Sequence, residues 1–279
     1  MDVTLIDSPV ANVANIARAL RAAGASLHVT RDPEAIARAS KLVLPGVGSF
    51  TAAMRWLEES RVDTAIRDAV GRGAALLGIC VGHQVLFDVS YEMGVTRGLE
   101  LIRGEVKQFG GTLPVPQIGW NSVVGHSCAA PDIVGRSCAA PGIVGHSCAA
   151  PGTVGHSRAA PDIVGHSCAA PDVVGHSCAA PRDDETTGDR RRSAAAAYGD
   201  DHACEFDSPL FEGIPTGTAF YFVNSFAASN VSSEIARADY GGPFTAAVQQ
   251  GQIFGVQFHP EKSSTAGLRV LRNFVEKIR

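Results

Sequence analysis

The amino-acid sequence predicts an α/β domain in which a parallel sheet carries helices on both faces and a long low-complexity insert interrupts the chain. Three observations predict it. Short apolar runs alternate with helix-like stretches through the front of the chain, the pattern of βαβ units. A ten-residue motif then repeats from residue 124 to residue 181. Beyond it the chain turns strand-rich and closes on one helical stripe.

Val3, Leu5 and Ile6 open the chain as a short strand. A helix over residues 11–23 follows, with Ile16 and Leu20 on one face and Gly24 at the expected stop. Residues 27–30 form a strand, and Asp32-Pro33 starts a helix, with Asp as N-cap and Pro in first position. Residues 41–44 form a strand, after which PGVGSF turns the chain. A helical stretch over 62–70 ends near Gly71 and Gly73, and 74–79 is a buried apolar strand. A helix is expected over 82–89. A strand ends near Asn121, where the insert enters. After the insert, strands are expected over 219–226, 235–238, 245–249 and 253–258. The last helix carries Leu268, Leu271, Val275 and Ile278 on one stripe.

The repeat cycles as VGHSCAAPDI, VGRSCAAPGI and close variants. Each unit offers two β-branched residues and otherwise small ones, while Pro and Gly recur and block both helix and central strand. Such units bury too little to offset about 1–2 kcal/mol of backbone ordering per residue. Residues 123–203, including the charged tract that follows the repeat, therefore read as a disordered insert. Residues 1–122 and 204–279 read as one domain, because each half supplies chemistry the other lacks. Doubling a loop's length adds only about 0.6 kcal/mol to its closure, so a surface loop tolerates such an insertion.

The chain has 279 residues, 45% apolar content and a net charge of −4. No basic surplus points to nucleic acid, and no polybasic stretch points to a membrane. The opening MDVTLIDSPV lacks a charged n-region and a long apolar core, so it reads as a strand and not a signal peptide. A cytoplasmic location with reduced thiols is expected, although five of the seven cysteines sit in the repeat. The His-x-Cys pairs of the repeat, such as His126/Cys128 and His146/Cys148, are zinc or copper ligand types. Their ten-residue spacing matches no compact zinc site, so no metal and no cofactor is expected.

The chemistry-bearing residues lie at two strand ends. LLGICVGHQ places Cys80 after a buried strand and before a helix, the strand–turn–helix arrangement of a nucleophile elbow. Gly78 and Gly82 permit the tight backbone such a turn needs, and a thiol at a helix N-terminus gains thiolate character. Taken alone, a buried structural cysteine fits as well. GVQFHPEKS ends the second apolar strand. His259 is placed to take the thiol proton and Glu261 to hold the imidazole in one tautomer. Taken alone, a surface loop fits as well. PGVGSF follows a strand and offers backbone N–H groups to an oxyanion, with the N–H of Val81 as second donor. Both strands are parallel in type, so both turns belong at the carboxyl edge of one sheet, where α/β proteins bind ligands.

PGVGSF, GICVGHQVLF, PQIGWN, SPLFEGIP, YFVNSF, QFHPEKS and GLRVLRNF together resemble the glutaminase subunits of imidazole glycerol phosphate synthase, within the class I glutamine amidotransferases. The resemblance covers residues 1–122 and 204–279. It implies a mixed, mostly parallel sheet with helices on both faces, and a cytoplasmic enzyme of histidine biosynthesis. Cys80 is then the nucleophile that forms a glutamyl thioester, His259 the general base and Glu261 its orienter. Val47 and Val81 supply oxyanion N–H groups, Gln84, Glu92 and backbone near Ser225 hold glutamine, and Trp120, Tyr221 and Lys262 face the partner. That partner resembles a (βα)₈-barrel cyclase that conducts ammonia to its own site. Ordinary core packing is the other reading of Trp120 and Tyr221, and a solvated charge that of Lys262.

The chain departs from the family pattern at several positions. The first turn, usually Tyr-Gly-x-Gly-Asn, is Ser8-Pro9-Val10-Ala11-Asn12. Two positions usually occupied by His are Gln117 and Asn224, and His83 stands where Met is frequent. The triad is intact, so these changes bear on coupling to the cyclase and not on glutaminase chemistry. The competing readings are another class I amidotransferase, for example one serving pyridoxal phosphate synthesis, and a coupling-impaired homologue that acts by binding.

Overall fold

Two strand–helix alternations at the front of the chain set the architecture of the computed structural model, which describes residues 1–9, 11–126, 205–229 and 231–278. In chain order these are β1 (Asp2–Ile6), α1 (Val13–Ala22), β2 (Ser26–Thr30), α2 (Pro33–Arg38) and β3 (Lys41–Gly46). Next come α3 (Phe50–Glu59), α4 (Val62–Gly71), β4 (Ala75–Cys80) and α5 (Val81–Gln84). Short strands β5 (Val89–Ser90), β6 (Thr96–Arg97) and β7 (Glu105–Gln108) precede the long β8 (Gln117–Gly125). The back half supplies β9 (Thr218–Asn224), β10 (Phe226–Ala228), β11 (Glu234–Asp239), β12 (Pro243–Gln250), β13 (Ile253–Val256) and α6 (Ser264–Lys277).

The main sheet runs β2-β1-β3-β4-β13-β12-β11-β8-β9. Neighbours from β2 to β13 are parallel, and those from β13 to β9 are antiparallel. The chain passes from β1 to β2 in one direction and from β2 to β3 and on to β4 in the other. Right-handed crossovers therefore put α1 on one face and α2, α3 and α4 on the other. A second small sheet runs β10-β7-β5-β6. Among the described residues no helix is long and apolar enough to cross a membrane.

Local chemistry explains the boundaries. Asn12, the one residue kept from the family's first turn, caps α1 by accepting from the N–H of Asn15 at 3.3 Å. Asp32 caps α2 by accepting from the N–H of Glu34 at 3.1 Å, with Pro33 in first position. The helix α3 was not anticipated, yet Ser49 caps it and Phe50, Ala53, Met54 and Leu57 bury one stripe. Three expectations change. The helix expected over 82–89 stops at Gln84, because the carbonyls of Val85, Leu86 and Phe87 accept from the N–H groups of residues 99–102 instead. The strand expected over 219–226 breaks at Ser225, where the chain leaves the main sheet and pairs with β7 as β10. The strand expected to end near Asn121 continues through the buried Val123 and Val124 to Gly125. The disorder expected for the insert falls, for residues 127–203, outside the described residues, as do Cys128, His146 and Cys148.

Lys41 joins the front of the sheet to the chain's last helix. Its ammonium is buried and donates to the carbonyls of Phe274 (3.1 Å), Val275 (2.7 Å) and Ile278 (2.6 Å), acceptors that a helix C-terminus otherwise leaves unpaired. Burial holds its pKa below the ordinary lysine value. Lys41→Met is expected to cost about 1–3 kcal/mol in urea unfolding, the penalty for buried acceptors left without a donor. An unchanged midpoint would refute that account.

Candidate active site

The turn at Cys80 is built by close backbone approach. Cys80 is buried and held at φ 55°, ψ −111°, a strained conformation for a non-glycine residue and one that clusters at functional sites. A Cβ on Gly82 would lie 1.9 Å from the carbonyl oxygen of Leu44, and one on Gly78 2.4 Å from the oxygen of Gly82. Only glycine at both positions lets the turn fold back against β3 and β4.

The histidine turn is built next door. β13 pairs in parallel with β4, with Val256 opposite Ile79, so Cys80 and His259 leave the same edge of the sheet. Phe258 drives its ring into a cluster with Phe220 (centroids 4.1 Å apart), Phe211 and Phe222. Strand alternation then turns its neighbours Gln257 and His259 the other way, toward Cys80. His259 N–H donates to Tyr221 O at 2.9 Å, and Ser263 Oγ donates to His259 O at 2.7 Å and accepts from Tyr221 N–H at 2.9 Å. These bonds fix the short 3-10 turn Pro260–Lys262. His259 Nδ1 lies 2.9 Å from Glu261 Oε1, and both side chains are buried. Burial pulls the His259 pKa down, but hydrogen bonds and charge from Cys80 and Glu261 carry it up to about 10.

A cleft of about 400 Å³ opens over the sulfur. Val47, Cys80, Val81, Gln84, Glu92 and Ser225 line it, as do His259 and Lys262. Glu261 stands behind His259. Glu92 Oε2 accepts from the N–H of Phe50 at 2.6 Å, which ties the loop after β5 to the PGVGSF turn. Trp120 and Tyr221 are cross-strand partners on β8 and β9, with ring centroids 6.0 Å apart. Trp120 is 53% exposed, which core packing does not explain. Lys262 is exposed, and its Nζ sits 5.6 Å from the Tyr221 ring centre. The two departures from the family's histidines, Gln117 and Asn224, face each other across the same strand pair, both buried.

Two residues escaped the sequence reading. Gln257 is fully buried with its Nε2 3.8 Å from Cys80 Sγ, and Ser263 pins the histidine turn. A polar side chain in the apolar run GVQF, two residues before the histidine and so on its face of the strand, was the available signal for Gln257.

Comparison with known proteins agrees with the fold and the motifs. The family model "Glutamine amidotransferase class-I" matches residues 4–140 and 164–278. The chain belongs to the class I glutamine amidotransferase family, and it is an enzyme of that class. Within the family, its relatives include proteins named imidazole glycerol phosphate synthase subunit HisH. That of Moorella thermoacetica is 32% identical, covering 99% of this chain and 95% of its own. That of Caulobacter vibrioides is 34% identical, covering 98% and 97%. Among solved structures, a glutamine amidotransferase superposes with a TM-score of 0.56 at 15% identity, covering 98% of this chain and 97% of its own. PurLQS from Thermotoga maritima gives 0.53 at 12% identity, covering 100% and 99%. At such identities these two likenesses speak to fold alone.

Proposed function

We propose that this protein hydrolyses glutamine to glutamate and ammonia through Cys80, His259 and Glu261. It passes the ammonia to a (βα)₈-barrel cyclase that makes imidazole glycerol phosphate and AICAR in histidine biosynthesis. The reading rests on one observation above all: a sulfur from the front half and an imidazole from the back half meet at the carboxyl ends of two paired parallel strands. The domain that does this is the chain on either side of the insert.

With Nδ1 bonded to Glu261, the other ring nitrogen of His259 is left for the sulfur. His259 takes the Cys80 proton, and the sulfur adds to the side-chain carbonyl carbon of glutamine. The carbonyl oxygen becomes an oxyanion that the N–H groups of Val47 and Val81 stabilise. The C–N bond breaks as His259 returns the proton to nitrogen, releasing ammonia and leaving a thioester on Cys80. Water then gives a proton to His259 and adds to the thioester. The C–S bond breaks, glutamate leaves and the thiol is restored. Glu92, and the carbonyl of Gln84, are acceptors suited to the α-ammonium of glutamine. Backbone at Ser225 completes the site. Trp120, Tyr221 and Lys262, with the exposed Ile118, form the surface that meets the cyclase.

The test is glutamate release by the full chain with and without the cyclase of imidazole glycerol phosphate synthase. Weak release alone and a clear increase with the cyclase are expected. Folded protein that releases no glutamate in either case would overturn the reading.

A further inference from the structure

Three groups lie in series behind the sulfur of Cys80: the carbonyl of Phe226 and the amides of Gln84 and Gln257. Gln84 Nε2 is 2.8 Å from Phe226 O and 3.0 Å from Gln257 Oε1, and Gln257 Nε2 is 3.8 Å from Cys80 Sγ. Which way each amide points follows from the chemistry of the groups alone. A backbone carbonyl only accepts, so Gln84 must turn its NH₂ toward Phe226. The second hydrogen of that NH₂ then faces Gln257, which must answer with its oxygen. The NH₂ of Gln257 is thereby committed to the sulfur. A flip of either amide would set oxygen against oxygen in the first contact or NH₂ against NH₂ in the second.

The sulfur thus stands between unlike neighbours. Val223 O, 3.9 Å from Sγ, can only accept, so it suits the thiol, whose S–H donates. Gln257 N–H can only donate there, so it suits the thiolate and the developing charge on a departing thioester sulfur. Gln257 is fully buried, and a hydrogen bond to a charged group shielded from water is worth more than a neutral one.

We infer that Gln257 is a catalytic residue: a donor to the reacting sulfur that favours the Cys80 thiolate, with its direction set by Gln84 and the Phe226 carbonyl. This inference rests on the reading of Cys80 as the nucleophile. It adds a third contact to the sulfur, besides the imidazole and the Val223 carbonyl, and gives Gln84 a task on the side away from the substrate.

The experiment measures iodoacetamide alkylation of Cys80 in the full chain from pH 5 to pH 10, resolved by peptide mass spectrometry from the six other cysteines. Gln257→Met keeps the volume and removes the donor. Gln257→Glu keeps the shape and puts an acceptor against the sulfur. Both are expected to move the alkylation profile to higher pH, by about one unit for Met and further for Glu. The rate at pH 7 should fall at least about tenfold. Glutaminase turnover should fall in parallel. Thermal unfolding is followed for both variants, and the isosteric Glu variant keeps the test valid if Met disturbs packing. Folded variants with an unshifted alkylation profile would overturn the role of Gln257. Glutaminase activity retained in Cys80→Ala would instead overturn the reading of the nucleophile, so the two failures are distinguishable.

Discussion

Cys80→Ala is expected to lower glutamate release by at least about 10²–10⁴-fold, the share that base-assisted nucleophilic chemistry supplies, with unfolding unchanged. The expectation has two physical parts. Alanine accepts the same backbone strain at φ 55° as cysteine does, so the turn survives. Among the described residues that line the cleft, Cys80 is the one thiol. Glu261→Gln provides the graded counterpart. Its amide can still bond His259 Nδ1, but it no longer stabilises the imidazolium by charge, and a loss of about 10²–10⁴-fold is expected. The pH profile separates this from simple misfolding. The His259 pKa is raised from 6.5 to about 10, with Glu261 among the causes. The protonated imidazole, needed to hand a proton to departing ammonia, persists below that value and is lost as pH rises through it. Removing the carboxylate must therefore move the alkaline limit of activity downward. A Glu261→Gln enzyme with full turnover and an unmoved alkaline limb would show that Glu261 does not orient and charge the base.

The candidate site residues could be picked out of the sequence for a physical reason. A nucleophile, a base and an orienter each need one residue type next to a strand end, so Cys80, His259 and Glu261 became the candidates for those roles once the flanking strands were recognised. Strands β3 and β4 were readable because burial on both faces writes a continuous apolar run; the edge strand β2 is largely exposed and carries no such run. What could not be read was decided by partners distant in sequence. The helix after Cys80 ends at Gln84 because residues 99–102 take the carbonyls that would have continued it. The break at Ser225 exists because β10 finds β7 in another sheet. The strand expected to end near Asn121 runs on to Gly125 because Val123 and Val124 are buried, although their composition belongs with the repeat. Gln257 was missed for the same reason: a glutamine in an apolar strand tells nothing of its partner until Cys80 Sγ is seen beside it.

His83 leads to the other large effect, this time on stability. Its ring is fully buried, its edge meets Phe87 with centroids 5.1 Å apart, and neither ring nitrogen has a hydrogen-bond partner among the described residues. A Cβ on Gly255 would come within 2.3 Å of its Nδ1, so the imidazole packs directly against β13 at a position where only glycine leaves room. Burial drives its pKa from 6.5 down to about 3. Between those values the unfolded chain binds a proton that the folded chain refuses, so stability falls as pH drops through 6.5 toward 3. At about 1.36 kcal/mol per unit, the loss is about 2 kcal/mol by pH 5 and approaches about 5 kcal/mol at the end of the window. Methionine fills a similar space with a flexible thioether and no proton to gain. His83→Met is therefore expected to be more stable at pH 7 by about 1–3 kcal/mol, the cost of two unpaired ring nitrogens. Urea unfolding at pH 7 and pH 5 should show the wild-type chain losing about 2 kcal/mol more than the variant across that interval. Equal losses in the two proteins would mean that the ring finds a proton acceptor or solvent in the folded state.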